Sequence, residues 1–243
     1  MNYQIIILAA GKGTRMNTAL PKVLVRLKDK PLIQHLLDSV QQIPTDFPPV
    51  IVVGHKYELV QSYLGPNFVY AFQEGQFGTG HALAAGLPKA QAENVLVLYG
   101  DKPFIKPETL KNLIELHDRS NSKFSMLTMI APHFDKEFAT FYGDGRIIRN
   151  ANGKFLAIRE LVEATATERE IKETNPGFYI FNRQWLEQHI DKILKNKQGE
   201  FYLTDLVEIA IQGGIDIVTQ AAEPYEVYGI NTPQQLAEAA KLM

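Results

Sequence analysis

Between residues 8 and 22 the chain reads Leu8–Ala9–Ala10–Gly11–Lys12–Gly13–Thr14–Arg15–Met16, then Leu20–Pro21–Lys22. Small residues let a backbone approach a ligand closely, and glycines reach the φ values that aim successive N–H groups at one anion. Lys12, Arg15 and Lys22 add fixed positive charge beside them. That combination suits a site where charge builds on phosphate oxygens during a reaction. A dinucleotide fingerprint would need a third glycine where Met16 stands, and no Gly-x-x-x-x-Gly-Lys-Ser/Thr phosphate loop occurs. A glycine turn with a purely structural role stays open from these residues alone.

Two further runs carry chemistry. Gln73–Glu74–Gly75–Gln76–Phe77–Gly78–Thr79–Gly80–His81–Ala82 offers, in Gln73, an amide that can both donate to and accept from a pyrimidine edge. Gly78 leaves room for a flat base, and the competing reading is a loop that Thr79 caps. His81 reads as a helix residue, because no second histidine stands at metal-ligand spacing. Tyr99–Gly100–Asp101 puts a carboxylate just past the apolar run Val95–Leu98. There it could hold Mg²⁺, an ion that takes oxygen ligands and substrate phosphates. A turn aspartate is the plain alternative.

These runs need a scaffold that brings them to one edge. Tyr3–Leu8, Val50–Val53, Phe68–Phe72 and Val95–Tyr99 read as buried strands. Between and after them, 31–42, 56–64, 79–87 and 108–117 read as helices. This alternation predicts an open parallel sheet with helices on both faces, its ligands beyond the carboxyl ends of the strands. The second half reads as a hairpin (146–150 and 154–158), a strand over 174–181, a helix over 202–212, and short strands over 215–221 and 227–230. A last helix over 232–243 would be capped by Thr232 with Pro233 at its first position. This half is expected to extend the sheet into a small β-rich lobe.

The 243 residues are 45% hydrophobic and 21% charged, so a packed α/β domain is expected and disorder is not. A net charge of −2 excludes the broad basic field of a nucleic-acid binder. With no cysteine, there can be no disulfide framework, thiolate metal site or cysteine nucleophile. The run Met1–Leu8 shows no basic leader, and no apolar stretch is long enough to span a bilayer. A cytoplasmic protein without a membrane or nucleic-acid partner is the expectation; oligomeric state is not readable.

Taken together the motifs resemble the sugar-1-phosphate nucleotidylyltransferases. The closest match is to the uridylyltransferase domain of bifunctional N-acetylglucosamine-1-phosphate uridylyltransferases. Residues 8–22, Gln73 with 78–82, and 99–101 are followed in that family's order by Gly145–Arg146–Ile147, Glu160, Asn175 with Gly177, 199–205 and 229–231. The resemblance implies a Rossmann-like open mixed sheet flanked by helices, with a small sugar-binding lobe. It implies Mg²⁺-dependent transfer of a uridylyl group from UTP to a sugar 1-phosphate, such as N-acetylglucosamine 1-phosphate. Arg15 and Lys22 would be catalytic. Leu8, Ala9, Ala10, Gly11, Gly13, Gln73, Gly78, Thr79 and Tyr99 would bind the nucleotide. Gly145, Glu160, Asn175, Tyr202 and Thr204 would surround the sugar phosphate, and Asp101 and Asn231 would hold the metal. One domain over 1–243 is expected, with 1–130 mainly for the nucleotide, 131–231 for the sugar phosphate, and 232–243 as a terminal helix. The hexapeptide repeats of the bifunctional enzyme's acetyltransferase half do not occur, so acetyl transfer is not expected.

The chain departs from the family pattern at several positions, most of them in the sugar half. Val162 stands where a lysine is usual, Pro176 where a threonine is, and Lys102 where an apolar residue is. The run 141–145 carries about one extra residue. These departures leave another nucleotide or phosphate acceptor, or a binding module without catalysis, as alternatives.

Overall fold

Strand β1 (Tyr3–Leu8) is buried along its whole length. Alternate side chains enter two separate cores: Ile5 and Ile7 one, Ile6 and Leu8 the other. An unbroken apolar run is what a strand covered on both faces requires. The structure, a computed structural model, describes residues 2–243, so Met1 of the expected N-terminal run lies outside them.

After β1 come a short ribbon, β2 (Arg26–Leu27) and β3 (Lys30–Pro31), and helix α1 (Leu32–Val40). Then follow β4 (Val50–Val53), α2 (Tyr57–Leu64), β5 (Val69–Phe72), α3 (Thr79–Gly86), β6 (Asn94–Tyr99), α4 (Pro107–Ser120) and β7 (Phe124–Ile130). The second half supplies β8 (Arg146–Arg149), β9 (Phe155–Arg159), α5 (Ala166–Arg169), β10 (Glu173–Thr174), β11 (Tyr179–Asn182), α6 (Arg183–His189), α7 (Asp205–Gln212), β12 (Val218–Ala222) and α8 (Pro233–Ala239).

One open mixed sheet runs β5-β4-β1-β6-β11-β7-β10-β8-β9, with β12 beside β7. Its first four strands are parallel. Leu8 lies opposite both Val52 and Tyr99, and Val53 lies opposite Phe72. The four strands therefore end level, and the loops after β1, β5 and β6 open on one edge, as the alternation of elements predicts. The β8–β9 hairpin joins the same sheet through β10. Among the described residues no helix is long and apolar enough to cross a membrane.

Several expected elements differ. The strand expected over 174–181 is broken into β10 and β11, because Pro176 has no N–H to give and Gly177 takes φ +86°. Residues 227–230 form no strand; they leave a 3₁₀ turn (Pro224–Val227) as an extended connection that meets Asp101 instead of a ladder. The helix expected from Tyr202 begins at Asp205. The terminal helix is capped by the Thr232 side chain, which accepts from the Gln235 N–H at 3.1 Å, but stops at Ala239 rather than at the end of the chain. Strand β7 and helix α6, which Asn182 caps through the Trp185 N–H, were not expected.

Candidate functional site

The glycine-rich loop leaves β1 tied to the sheet, the Ala9 N–H donating to the Val52 carbonyl at 2.9 Å. Gly13 then turns left-handed, at φ +62°. A Cβ there would stand 2.6 Å from the Lys22 Cβ, so only glycine lets the Lys22 stem lie against this turn. A 3₁₀ turn over Thr14–Met16 presents Arg15, and another over Lys22–Leu24 presents Lys22.

Lys22 is the hub. Its ammonium donates to Asp101 Oδ2 and, at 2.9 Å, to Asn231 Oδ1; the Arg15 guanidinium reaches the same Asn231 oxygen at 3.2 Å. Asp101 follows β6 and Asn231 lies 130 residues later in the chain. A main-chain bond from the Ile230 N–H to the Asp101 carbonyl (3.0 Å) holds the two segments together. Gln235 fixes the Asn231 backbone from the other side, accepting its N–H at 2.8 Å. Burial pushes the Asp101 carboxyl up, but the Lys22 and Lys102 charges and the Lys22 hydrogen bond outweigh it and hold the group below the usual carboxylate range.

Asp101 and Asn231 thus aim two oxygens at one point cation. A hard, oxygen-seeking ion held by one carboxylate and one amide, with water and phosphate completing its sphere, fits that donor pair. Among the described residues no cluster of three or more His, Cys, Asp or Glu could hold a metal by itself.

These groups line one end of a cavity of about 470 Å³, within the usual range for a small-molecule site. Leu8, Ala9, Ala10, Gly11, Gln73, Gly78, Thr79 and Tyr99 line it as well. Gly13 does not; its place is behind Lys22. A Cβ on Gly11 would meet open space, so what keeps that position bare is room in the cavity rather than packing. Gly78 is the opposite case: at φ +98° its Cβ would stand 2.5 Å from the Phe201 carbonyl oxygen. The segment 77–80 is pinned to 201–203 by three bonds. Phe201 N–H donates to Phe77 (2.7 Å), Gly80 N–H to Phe201 (2.9 Å), and Leu203 N–H to Thr79 Oγ1 (3.1 Å). Tyr99 is hydrogen-bonded to Thr79, and burial raises its phenol well above the usual value.

Of the residues expected at the sugar phosphate, four assemble beside this cavity and not in it. Thr204 Oγ1 donates to Glu160 Oε1 at 3.0 Å, Asn175 N–H donates to the Gly145 carbonyl at 2.9 Å, and a Cβ on Gly145 would lie 3.4 Å from Glu160 Oε1. The Tyr99 ring connects the two regions: a Cβ on Gly177 would be 2.9 Å from it. Tyr202 lies at the edge, near enough to Glu160 to feel its charge but with its hydroxyl toward Asn196. Burial raises the Glu160 carboxyl, and it lifts that of Asp144 to about 6. Fully buried Arg146 braces this corner by donating to the carbonyls of Asp144, Tyr142 (3.0 Å) and Arg169 (3.2 Å).

Four cavity residues escaped the sequence reading: Val23, Gln76, Ala82 and Glu200. Gln76 Nε2 donates to the Ala10 carbonyl at 2.5 Å, joining the base loop to the glycine loop. Its place inside the 73–82 run was the available signal. Glu200 comes from a distant segment, where its place in the 199–205 run was the signal.

The profile of the MobA-like NTP transferase domain matches residues 5–197, a span that holds both loops and Asp101. The chain belongs to this family. It is a nucleotidyltransferase. The bifunctional protein GlmU of Alcanivorax borkumensis is 41% identical over 246 residues, which is 100% of this chain and 52% of that protein. The chain thus spans about half the length of the curated relatives it matches. Among solved structures, a UDP-glucose pyrophosphorylase complexed with UDP-glucose superposes with a TM-score of 0.82 at 18% identity, covering 100% of this chain and 98% of the other. A putative glucose-1-phosphate thymidylyltransferase from Bacillus anthracis, in complex with a sucrose, gives 0.78 at 21%, covering 99% and 94%. At those identities the structures speak for the fold, the open mixed sheet flanked by helices.

Proposed function

We propose that this enzyme transfers a uridylyl group from UTP to a sugar 1-phosphate, N-acetylglucosamine 1-phosphate first among them. What carries the reading is the meeting of Lys22, Arg15, Asp101 and Asn231 at one end of the cavity that the glycine loop and Gln73 also line. The 41% identity to GlmU along the whole chain favours the uridine nucleotide and the amino sugar. On this reading residues 1–130 mainly hold the nucleotide, 131–231 mainly the sugar phosphate, and 232–243 close the domain, with Asn231 crossing over to the nucleotide side. The setting would be the cytoplasm.

In the reaction a sugar-phosphate oxygen forms a bond to the α-phosphorus of UTP. The bond from that phosphorus to the α–β bridging oxygen breaks, and pyrophosphate leaves with the electron pair. The attacking phosphate is already ionised, so no general base is required. Lys22 and Arg15 neutralise charge that grows on the transferring group and on the leaving oxygen. Asp101 and Asn231 would hold magnesium, which would supply further positive charge to the phosphate oxygens. Gly145, Glu160, Asn175, Thr204 and Tyr202 would orient the sugar.

A different phosphate acceptor is the second reading. Val162, where a cationic contact would help an anionic acceptor, stands 76% exposed and carries no charge. A panel of sugar and alcohol phosphates with UTP and Mg²⁺, scored by pyrophosphate release, tests both. Release with N-acetylglucosamine 1-phosphate above all others supports the first reading, and preference for another acceptor replaces it.

A further inference from the structure

Gln73 is 4% exposed and makes two hydrogen bonds through one atom. Its Nε2 lies 3.2 Å from the Gly78 carbonyl oxygen and 3.0 Å from His81 Nδ1. A backbone carbonyl can only accept, so the amide must turn its NH₂ and not its oxygen toward Gly78. That group has two hydrogens. One goes to Gly78, and the other reaches His81 Nδ1, which must then carry its lone pair and no proton. The neutral imidazole with its proton on Nε2 is the only form that accepts at that atom.

Both Gln73 donors are consumed inside the protein, and Oε1, with no donor among the described residues, is what remains for the cavity that Gln73 lines. His81 itself has little freedom. It sits on α3 with the Phe77 ring edge-on at 5.3 Å and the Phe201 ring stacked at 6.2 Å.

We propose that His81 is a positioning residue that locks the Gln73 amide as a pure acceptor and thereby makes the site choose a base with an N–H donor at ring N3 over one with a lone pair there. The inference rests on the base-reading role given to Gln73. Uracil carries a hydrogen on N3 and meets Oε1 with a donor. Cytosine presents a lone pair at N3, which Oε1 repels, and an amide free to rotate could relieve that repulsion by turning its NH₂ inward. With His81 and Gly78 both holding the NH₂, that escape is closed. A site whose polar group is fixed and cannot adapt discriminates far better than one that can.

The test compares kcat/KM for UTP and for CTP, with N-acetylglucosamine 1-phosphate as acceptor, in wild type, Gln73→Leu, His81→Phe and His81→Asn. His81→Phe keeps a ring between Phe77 and Phe201 but removes the acceptor. It should cut the UTP-over-CTP ratio about tenfold, the worth of one lost hydrogen bond. His81→Asn returns an acceptor oxygen near the Nδ1 position and should restore most of the ratio, which a loss of packing would not do. Full discrimination in His81→Phe alongside lost discrimination in Gln73→Leu overturns the inference and leaves the role of Gln73 standing. Full discrimination in Gln73→Leu overturns both. An independent readout needs no catalysis: ¹⁵N shifts of His81 in the substrate-free protein should show a bare Nδ1 and a protonated Nε2, and a protonated Nδ1 contradicts the proposal.

Discussion

Replacing Lys22 by methionine keeps a stem of similar length against Gly13 and removes only the charge. The ammonium lies 2.9 Å from Asn231 Oδ1 and also pairs with Asp101, its side chain 14% exposed. At such a half-screened position, a charge about 4 Å from a phosphate oxygen is worth ~4 kcal/mol at an effective dielectric constant of ~20. Loss of a single donor to a developing oxyanion typically removes about 3–4 kcal/mol, or roughly 10²–10³ in turnover. Lys22→Met should therefore lower kcat by a factor of about 100–1,000, while KM for UTP rises less, because much of the charge develops only during transfer. Lys22→Arg should recover only part of the loss, since a planar fork does not fit between the Asp101 and Asn231 oxygens as a point donor does. Pyrophosphate release gives the rates, and urea unfolding shows whether the variant is folded. A folded Lys22→Met that turns over within about threefold of wild type would refute the argument.

Other consequences are separable. Gly11→Ala meets open space, so its unfolding midpoint should match wild type while KM for UTP rises at least tenfold, by about 1.4 kcal/mol of lost binding. Gly78→Ala needs φ +98° and drives a Cβ into the Phe201 carbonyl, so it should lose about 1–3 kcal/mol of stability in urea as well as nucleotide affinity. Glu160→Gln should raise KM for the sugar phosphate and leave that for UTP within about twofold, because Glu160 and Thr204 stand outside the nucleotide cavity. His117 is buried on α4, its Nδ1 2.8 Å from Ser125 Oγ, and burial lowers its pKa to about 4. The unfolded chain therefore binds a proton that the folded protein refuses, and the stability this group contributes, full above pH 6.5, is lost as pH falls toward 4. Between pH 7 and 5 the loss should be about 2 kcal/mol. His117→Asn should flatten the urea-midpoint curve over that window, and an unchanged slope would rule the histidine out.

The parallel core was legible because strands buried on both faces carry an unmistakable code: Ile5–Leu8, Val50–Val53 and Val95–Leu98 leave no polar face to misread. Once the strands are placed, level carboxyl ends follow, and with them the meeting of the loops after Leu8, Phe72 and Tyr99. The second half was harder to read. Beyond the β8–β9 hairpin its strands pair out of chain order, β11 entering antiparallel between β6 and β7 and β12 lying parallel to β7, so that β7 has partners on both sides that no local pattern announces. The break at Asn175–Phe178 was written in Pro176 and Gly177 but read as one strand. Residues 227–230 look strand-like because Val227 and Ile230 are fully buried, yet their backbone turns to Asp101 rather than to a neighbouring strand. Asn231 at the cavity came from family resemblance; neither spacing nor periodicity would bring residue 231 to residue 101.

The most direct test follows phosphorus itself. With UTP, N-acetylglucosamine 1-phosphate and Mg²⁺, ³¹P NMR should show the nucleotide α-phosphorus moving into a sugar diphosphate as pyrophosphate appears in equal amount. Asp101→Asn or chelation of the metal should stop both changes. Release of inorganic phosphate without a new diphosphate, or no turnover with any sugar phosphate, would contradict uridylyl transfer at this site.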